Sequence, residues 1–234
     1  RAKMKIIPVE PPCKLGWLDV RLPNEAIDRL NDYVSKASKT QSPSLTVPYS
    51  KDNPMAWEKS MKDDDDWFFD NYLLECVTEY QKAFPSYETP NLTKATPYSL
   101  AAMWVNYQRK HEFFRLHNHA GVYSFVIFMK IPIDWKEQHT MHRHHGNLPP
   151  CASDFQFVYS DMLGRTQEKN YNLDSSDEGR MLFWPSQLKH QVYTFYNSEE
   201  ERVTISGNVL YDTKDIQAGA RRRGGGHSFG SLDL

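Results

Sequence analysis

Beyond Thr96 the chain reads as a succession of short strands, over about residues 97–107, 112–118, 121–131, 155–159, 180–184, 189–196 and 202–211. Turns rich in Gly, Pro, Asn and Asp separate them. Strands this short, without a helix between each pair, do not make a parallel α/β sheet. They fit a fold that closes on itself, a sandwich or barrel. The expected architecture is therefore mainly β: a double-stranded β-helix, or jelly roll, over about residues 97–212, with N-terminal helices packed outside.

The part before Thr96 differs in character. Ile6, Ile7 and Val9 begin extended, and Trp17 to Leu22 read as a short strand. Pro23-Asn24 opens a helix running to about Lys39, with Ile27, Leu30 and Val34 on one face. Residues 40–62 show little periodicity and read as loop. The acidic run Asp63 to Asp66 stands just before Trp67 and the apolar pattern Phe68, Leu73, Val77, Phe84. At that place it reads as a helix N-terminus favoured by the dipole rather than as a metal site. Met4 reads as a natural start, and no linker separates the halves, so residues 4–212 are expected to form one domain. Residues 213–234, with Arg221-Arg222-Arg223 followed by three glycines, read as a flexible tail.

Composition narrows the function classes. The formal net charge is −2 over 234 residues, which supplies no strong electrostatic grip on nucleic acid or anionic lipid. Cys13, Cys76 and Cys151 make an odd count with no paired-cysteine motif, which together with the lack of a secretory signal suits a reducing cytoplasm. No apolar run approaches the ~20 residues of a membrane helix.

Three places carry chemistry. In His117-Asn118-His119, two imidazoles two residues apart on a strand point to one face, as two metal ligands must. Arg115 would share that face. In the run Leu182 to His190, an apolar strand ends in a Pro-containing turn and His190 opens the next strand, where it can close a metal site from the opposite sheet. In the last strand, Arg202, Thr204, Ser206 and Asn208 alternate with Val203, Ile205, Gly207 and Val209. Such a polar face is usually just solvent-exposed. Yet short hydroxyls and an amide headed by an arginine suit a cavity, where the guanidinium fork meets a carboxylate. Trp104 and Asn106 would share a face, with Asn106 able to touch cofactor or substrate. One of Tyr123 and Ser124 would face the same cavity.

The order of these elements resembles the Fe(II)/2-oxoglutarate oxygenase superfamily, and within it a subgroup found in marine bacteria and their phages. The likeness lies in Trp104-Val105-Asn106, His117-Asn118-His119-Ala120-Gly121, Phe183-Trp184-Pro185-Ser186 with His190, and Arg202 through Asn208. The resemblance implies Fe(II) and 2-oxoglutarate as cofactors and dioxygen as co-substrate. His117 and His190 would be iron ligands, and Arg202 with Thr204 would hold the distal carboxylate of 2-oxoglutarate. It implies hydroxylation of a substrate that the sequence does not identify, in a cytoplasm (the host's, for a phage protein).

One departure stands out. The usual triad is His-x-Asp/Glu with a distal His, and here the carboxylate position is His119. Either His119 ligates, or it stands behind the ligands with water in the open position, or a distant carboxylate such as Asp154 or Asp161 completes the site; ligation by His119 is the reading preferred. Two rivals share the fold. A cupin also has His-x-His, and a Pro five residues before its last His, as Pro185 and His190 are here, but it wants a Glu soon after the pair, and residues 120–128 contain none. The other rival is a non-catalytic jelly-roll binding or virion protein with a degenerate metal pocket. Residues 134–154, with His139, His142, His144, His145 and Cys151, match no zinc-finger spacing and read as a mobile loop over the cavity mouth.

Overall fold

The computed structural model describes residues 4–9, 15–37, 58–85, 87, 97–141, 149–161 and 163–212. The tail from 213 and the histidines at 142, 144 and 145 lie outside them. The N-terminal part contributes β1 (Lys5–Val9), β2 (Trp17–Arg21), α1 (Asn24–Lys36), β3 (Lys59–Met61) and α2 (Leu74–Ala83). A 3-10 turn at Asp64–Asp66 and a π-helical turn at Phe69–Leu73 lead into α2. Then follow β4 (Tyr98–Gln108), β5 (Phe114–His117), β6 (Tyr123–Lys130), α3 (Trp135–Met141), β7 (Phe155–Ser160), β8 (Thr166–Tyr171), β9 (Arg180–Pro185), β10 (Lys189–Val192) and β11 (Arg202–Tyr211).

The strands form two sheets. The larger has the order β1-β2-β9-β6-β11-β4-β3 and the smaller β5-β10-β7-β8. From β4 to β11 successive strands alternate between the sheets, except that β7 and β8 pair with each other in the smaller one, and all neighbours are antiparallel, so the core is the jelly roll read from the sequence. Alternation along the strands builds two apolar layers. Tyr123, Phe125, Ile127, Phe183, Ile205 and Val209 face the helices and meet Leu30, Phe68, Leu73 and Tyr80. Val126, Phe128, Leu182 and Trp184 face the smaller sheet and meet Phe155 and Phe157.

The helices lie outside the jelly roll, as expected. Asp63 caps the entry to the second helical stretch: its carboxylate accepts from the backbone N–H of Phe68 and of Phe69, each at 2.8 Å. That is the helix-terminus role expected for the acidic run.

Three expectations are corrected. The segment 40–62 is not all loop, because Lys59–Met61 pairs with β4 as the edge of the larger sheet. The run 134–154 contains α3, whose Gln138 is fully buried and donates to Asn197 while its carbonyl accepts from the Tyr196 N–H. The strand β8 went unread because Thr-Gln-Glu-Lys-Asn-Tyr is polar; it is the outer edge of the smaller sheet and needs no apolar face.

Candidate metal and co-substrate site

The smaller sheet assembles the histidines. His190 of β10 lies opposite His117 of β5 in the antiparallel register. His119 falls past the end of β5, so strand alternation is not what aims it. Its N–H donates to the Ser186 carbonyl at 2.9 Å, and Gln187 Nε2 donates to its carbonyl at 3.3 Å. Asn118 Nδ2 in turn donates to Gln187 Oε1 at 2.9 Å. The turn after β9 therefore clasps the segment after β5. The three ring centroids stand 4.3–5.0 Å apart, and one ligand nitrogen from each lies within 4.8 Å of the others.

Backbone contacts set the tautomers. His117 Nδ1 bonds the Arg115 carbonyl at 2.6 Å, and His190 Nδ1 bonds the Leu188 carbonyl at 3.2 Å. A carbonyl only accepts, so Nδ1 carries the proton and Nε2 keeps its lone pair for a metal. Burial lowers all three imidazole pKa values. His119 falls to about 4, with His117 a secondary cause, and His190 lies well below the ordinary value, with the other two rings adding to burial. Phe155 stacks on His190 at 5.7 Å and Trp184 meets it edge-on at 4.9 Å, which explains that desolvation. Three neutral nitrogen donors suit a divalent transition metal.

The histidines open into a cavity between the sheets of about 570 Å³, its mouth included. The polar face of β11 turns into this cavity rather than to solvent: Arg202, Thr204 and Ser206 line it, with Trp104, Asn106 and Gln108 of β4. Asn208, further along that face, accepts from Ser124 Oγ at 2.7 Å.

Arg202 is 1% exposed. Its Nε and Nη2 donate to Gln108 Oε1 at 3.0 and 2.6 Å, Nη2 also to the Tyr193 carbonyl at 3.0 Å, and Nη1 to the Ser153 carbonyl at 2.6 Å. Nη1 carries two hydrogens and makes that single bond. Burial lowers the guanidinium to about 10, so it stays charged at neutral pH. Among the described residues no carboxylate bonds it. Asp154 acts on it through space, but its oxygens already face His139, Asn170 and Asn172. Asn106 Nδ2 donates to Thr204 Oγ1 at 3.4 Å and Ser206 Oγ at 3.2 Å, while its buried Oδ1 has no protein partner.

Several readings are thereby sorted. His117, His119 and His190 come together, and Arg202, Thr204 and Asn106 line the same cavity. Neither distant carboxylate joins the histidines: Asp161 binds Arg165, Gln167 and the Leu163 N–H, and Asp154 is engaged as above. Arg115 does not share the face of His117. A register shift between β5 and β10 breaks the alternation, leaving Arg115 exposed and putting Phe114 in the cavity wall. Neither Tyr123 nor Ser124 lines the cavity; Tyr123 packs in the outer layer, and Ser124 bonds Ser186 and Asn208. Gln108 and Glu58 were missed. Gln108 was legible in principle, two residues beyond Asn106 on the same strand face. Glu58 lay in the stretch read as loop.

Residues 102–208 match the family model described as "Putative 2OG-Fe(II) oxygenase". No curated protein matches the chain in sequence. Among solved structures, an oxidoreductase of the 2OG-Fe(II) oxygenase family from Burkholderia pseudomallei aligns over 82% of this chain and 84% of its own, at 13% identity and TM-score 0.47. A prolyl-4-hydroxylase from Pseudomonas putida aligns over 88% and 97%, at 12% identity and TM-score 0.39. The oxalate decarboxylase of Bacillus subtilis aligns over 74% of this chain and 33% of its own, at 12% identity and TM-score 0.30. The family match runs from within β4 to within β11 and contains the three clustered imidazoles, Asn106, Arg202 and Thr204. Over that stretch, somewhat less than half of its length, the chain is similar to the 2OG-Fe(II) oxygenases.

Proposed function

We propose that this protein is an Fe(II)- and 2-oxoglutarate-dependent dioxygenase that hydroxylates its substrate, acting in a reducing cytoplasm. The observation that carries the reading is one cavity lined both by three neutral imidazoles and by a buried guanidinium that no carboxylate among the described residues bonds. A structural metal site has no use for the second feature, whereas a dicarboxylate that also chelates the metal uses both.

In this reading His117, His190 and His119 hold the iron through Nε2 of the first two and a ring nitrogen of the third. Arg202 receives the distal carboxylate of 2-oxoglutarate through the Nη1 hydrogen not directed at Ser153, and Thr204 adds its hydroxyl. Asn106 Oδ1 offers an acceptor beside them. Bound iron and 2-oxoglutarate supply the oxidation, in which dioxygen, 2-oxoglutarate and a substrate C–H give succinate, carbon dioxide and the alcohol. Phe155, Trp184 and Phe128 keep water from the metal side of the cavity. A cupin-like metal enzyme is a second reading, favoured by the all-nitrogen donor set with no carboxylate among the described residues.

Anaerobic addition of Fe(II) and 2-oxoglutarate tests the proposal. The expected result is a visible metal-to-ligand charge-transfer band that disappears in His190→Ala and weakens in Arg202→Ala. Loss of the band in His119→Ala assigns that imidazole as a ligand; retention places it behind the ligands. Folded wild-type protein that gives no band at saturating iron and 2-oxoglutarate refutes the oxygenase reading and leaves the cupin-like one.

A further inference from the structure

A planar guanidinium receives a carboxylate only when the fork is held at the right angle. Two of the groups that hold Arg202 are backbone carbonyls, those of Ser153 and Tyr193. Both residues lie just outside regular strands, Ser153 before β7 and Tyr193 after β10. Ser153 moreover stands at φ +70°, in the left-handed region that a residue with a Cβ adopts only when its surroundings impose it. Its N–H donates to the Thr194 carbonyl at 2.7 Å, but its own Oγ is buried without a partner, so the side chain does not fix the turn.

The next residue does. Asp154 is fully buried, and its carboxylate accepts from three side chains. His139 Nε2 of α3 stands at 3.0 Å, Asn170 Nδ2 of β8 at 3.0 Å, and Asn172 Nδ2 at 3.1 and 3.2 Å from the two oxygens. A carboxylate only accepts, so His139 Nε2 carries the proton. The Asp154 carbonyl accepts the Tyr193 N–H at 2.9 Å. Asp154 is therefore peptide-bonded to one of the residues that grip Arg202 and hydrogen-bonded to the other. α3 brings His139 to it and is itself anchored by Gln138, whose Oε1 accepts the Tyr196 N–H at 2.9 Å. A buried carboxylate that loses a donor is costly, and the chain shifts to relieve it. Here that chain is the turn at Ser153.

We propose that Asp154, held by His139, is a positioning residue for 2-oxoglutarate: it fixes the Ser153 turn and so directs the second Nη1 hydrogen of Arg202 into the cavity. Neither Asp154 nor His139 lines that cavity. The inference rests on the oxygenase reading for the identity of the ligand.

Calorimetry on protein loaded with redox-inactive Zn(II) is the test, with 2-oxoglutarate set against 2-oxopentanoate, in which a methyl replaces the distal carboxylate. Wild type is expected to prefer 2-oxoglutarate about tenfold or more, about 1.4 kcal/mol. His139→Leu should erase most of that preference and leave the affinities for Zn(II) and 2-oxopentanoate unchanged. His139→Gln, which keeps an N–H donor, should restore it. In an Arg202→Ala background His139→Leu should have no further effect. Asn172→Leu removes another donor to Asp154 and should act in the same direction; it takes the place of His139→Leu if that variant does not fold. A preference that survives His139→Leu, or a loss that His139→Gln does not restore, overturns the proposal. So does a loss that extends to Zn(II) and 2-oxopentanoate, which marks general damage. Exchange of the Arg202 Nε–H with water, read by NMR without metal, separates the two readings. It should be slow in wild type and faster in His139→Leu, and no change there overturns the proposal whatever the ligand. Faster exchange in a protein whose wild type has no preference for 2-oxoglutarate leaves the hold on Arg202 standing and removes the oxygenase. A wild-type preference with neither readout altered by His139→Leu removes only the positioning role.

Discussion

At the scale of single residues, the site is a set of groups held in one protonation state by their surroundings. Burial keeps His119 neutral down to about pH 4 and lowers His117 and His190 as well. An unfolded histidine titrates near 6.5. Between about 6.5 and 4 the unfolded chain therefore binds more protons than the folded one, and stability must fall as the pH drops through that window. Urea unfolding of the metal-free protein should give a lower midpoint at pH 5 than at pH 7, and the drop should be smaller in His119→Gln. An equal drop in both would mean that this imidazole is not held neutral by the fold. The histidines and Arg202 were legible because their letters and order are distinctive. Ser153 and Tyr193 were not, since they serve Arg202 through backbone carbonyls, which every residue possesses.

At the scale of elements, β11 shows how closely the sheet is fitted. Gly207 lies between β4 and β6, and a Cβ there would meet the Phe125 ring at 2.5 Å and the Ala102 carbonyl oxygen at 2.7 Å. The ring has some freedom to move, but the backbone oxygen of a central pairing has little. Gly207→Ala should cost about 1–3 kcal/mol in denaturant unfolding, the usual range for overpacking; a neutral result would show that the two strands can part. Sequence periodicity found β4, β6, β7, β9 and β11 because each has an apolar face to bury. It failed at β8, a polar edge, and at β3, three residues long. It also failed within β5, where the register shift exchanges the faces that Phe114 and Arg115 would otherwise occupy. Alternation is a property of regular pairing, and here β5 spends three residues against two of β10, a bulge that its letters do not announce.

At the scale of the molecule, the helices, the larger sheet and the smaller sheet stack as three layers around two apolar cores, with the cavity opening in the second. A ligand that binds only the folded arrangement stabilises all of it. Zn(II) with 2-oxoglutarate at one hundred times its dissociation constant should add about 2.7 kcal/mol. For a chain of this size that is a rise of roughly 5–10 °C in melting temperature. Arg202→Ala should abolish most of the 2-oxoglutarate increment while keeping that of the metal. A rise unchanged by that substitution would place the 2-oxoglutarate elsewhere. The jelly roll itself was legible from strand count and turn spacing, because few architectures close so many short strands without helices between them.

Trp17 belongs to β2, far before the family match begins, yet its indole is buried between the two sheets. It packs on Phe157 at 4.6 Å and donates to Tyr171 Oη at 2.5 Å. The N-terminal segment thus supplies a plug to a core whose other walls come from β7, β8 and β9. A fragment trimmed to residues 102–208 would keep the clustered imidazoles, Arg202 and Thr204 but leave that socket vacant, with Phe157 open to water and Tyr171 without its donor. The shortest piece that reproduces the site is longer than the piece that carries the likeness.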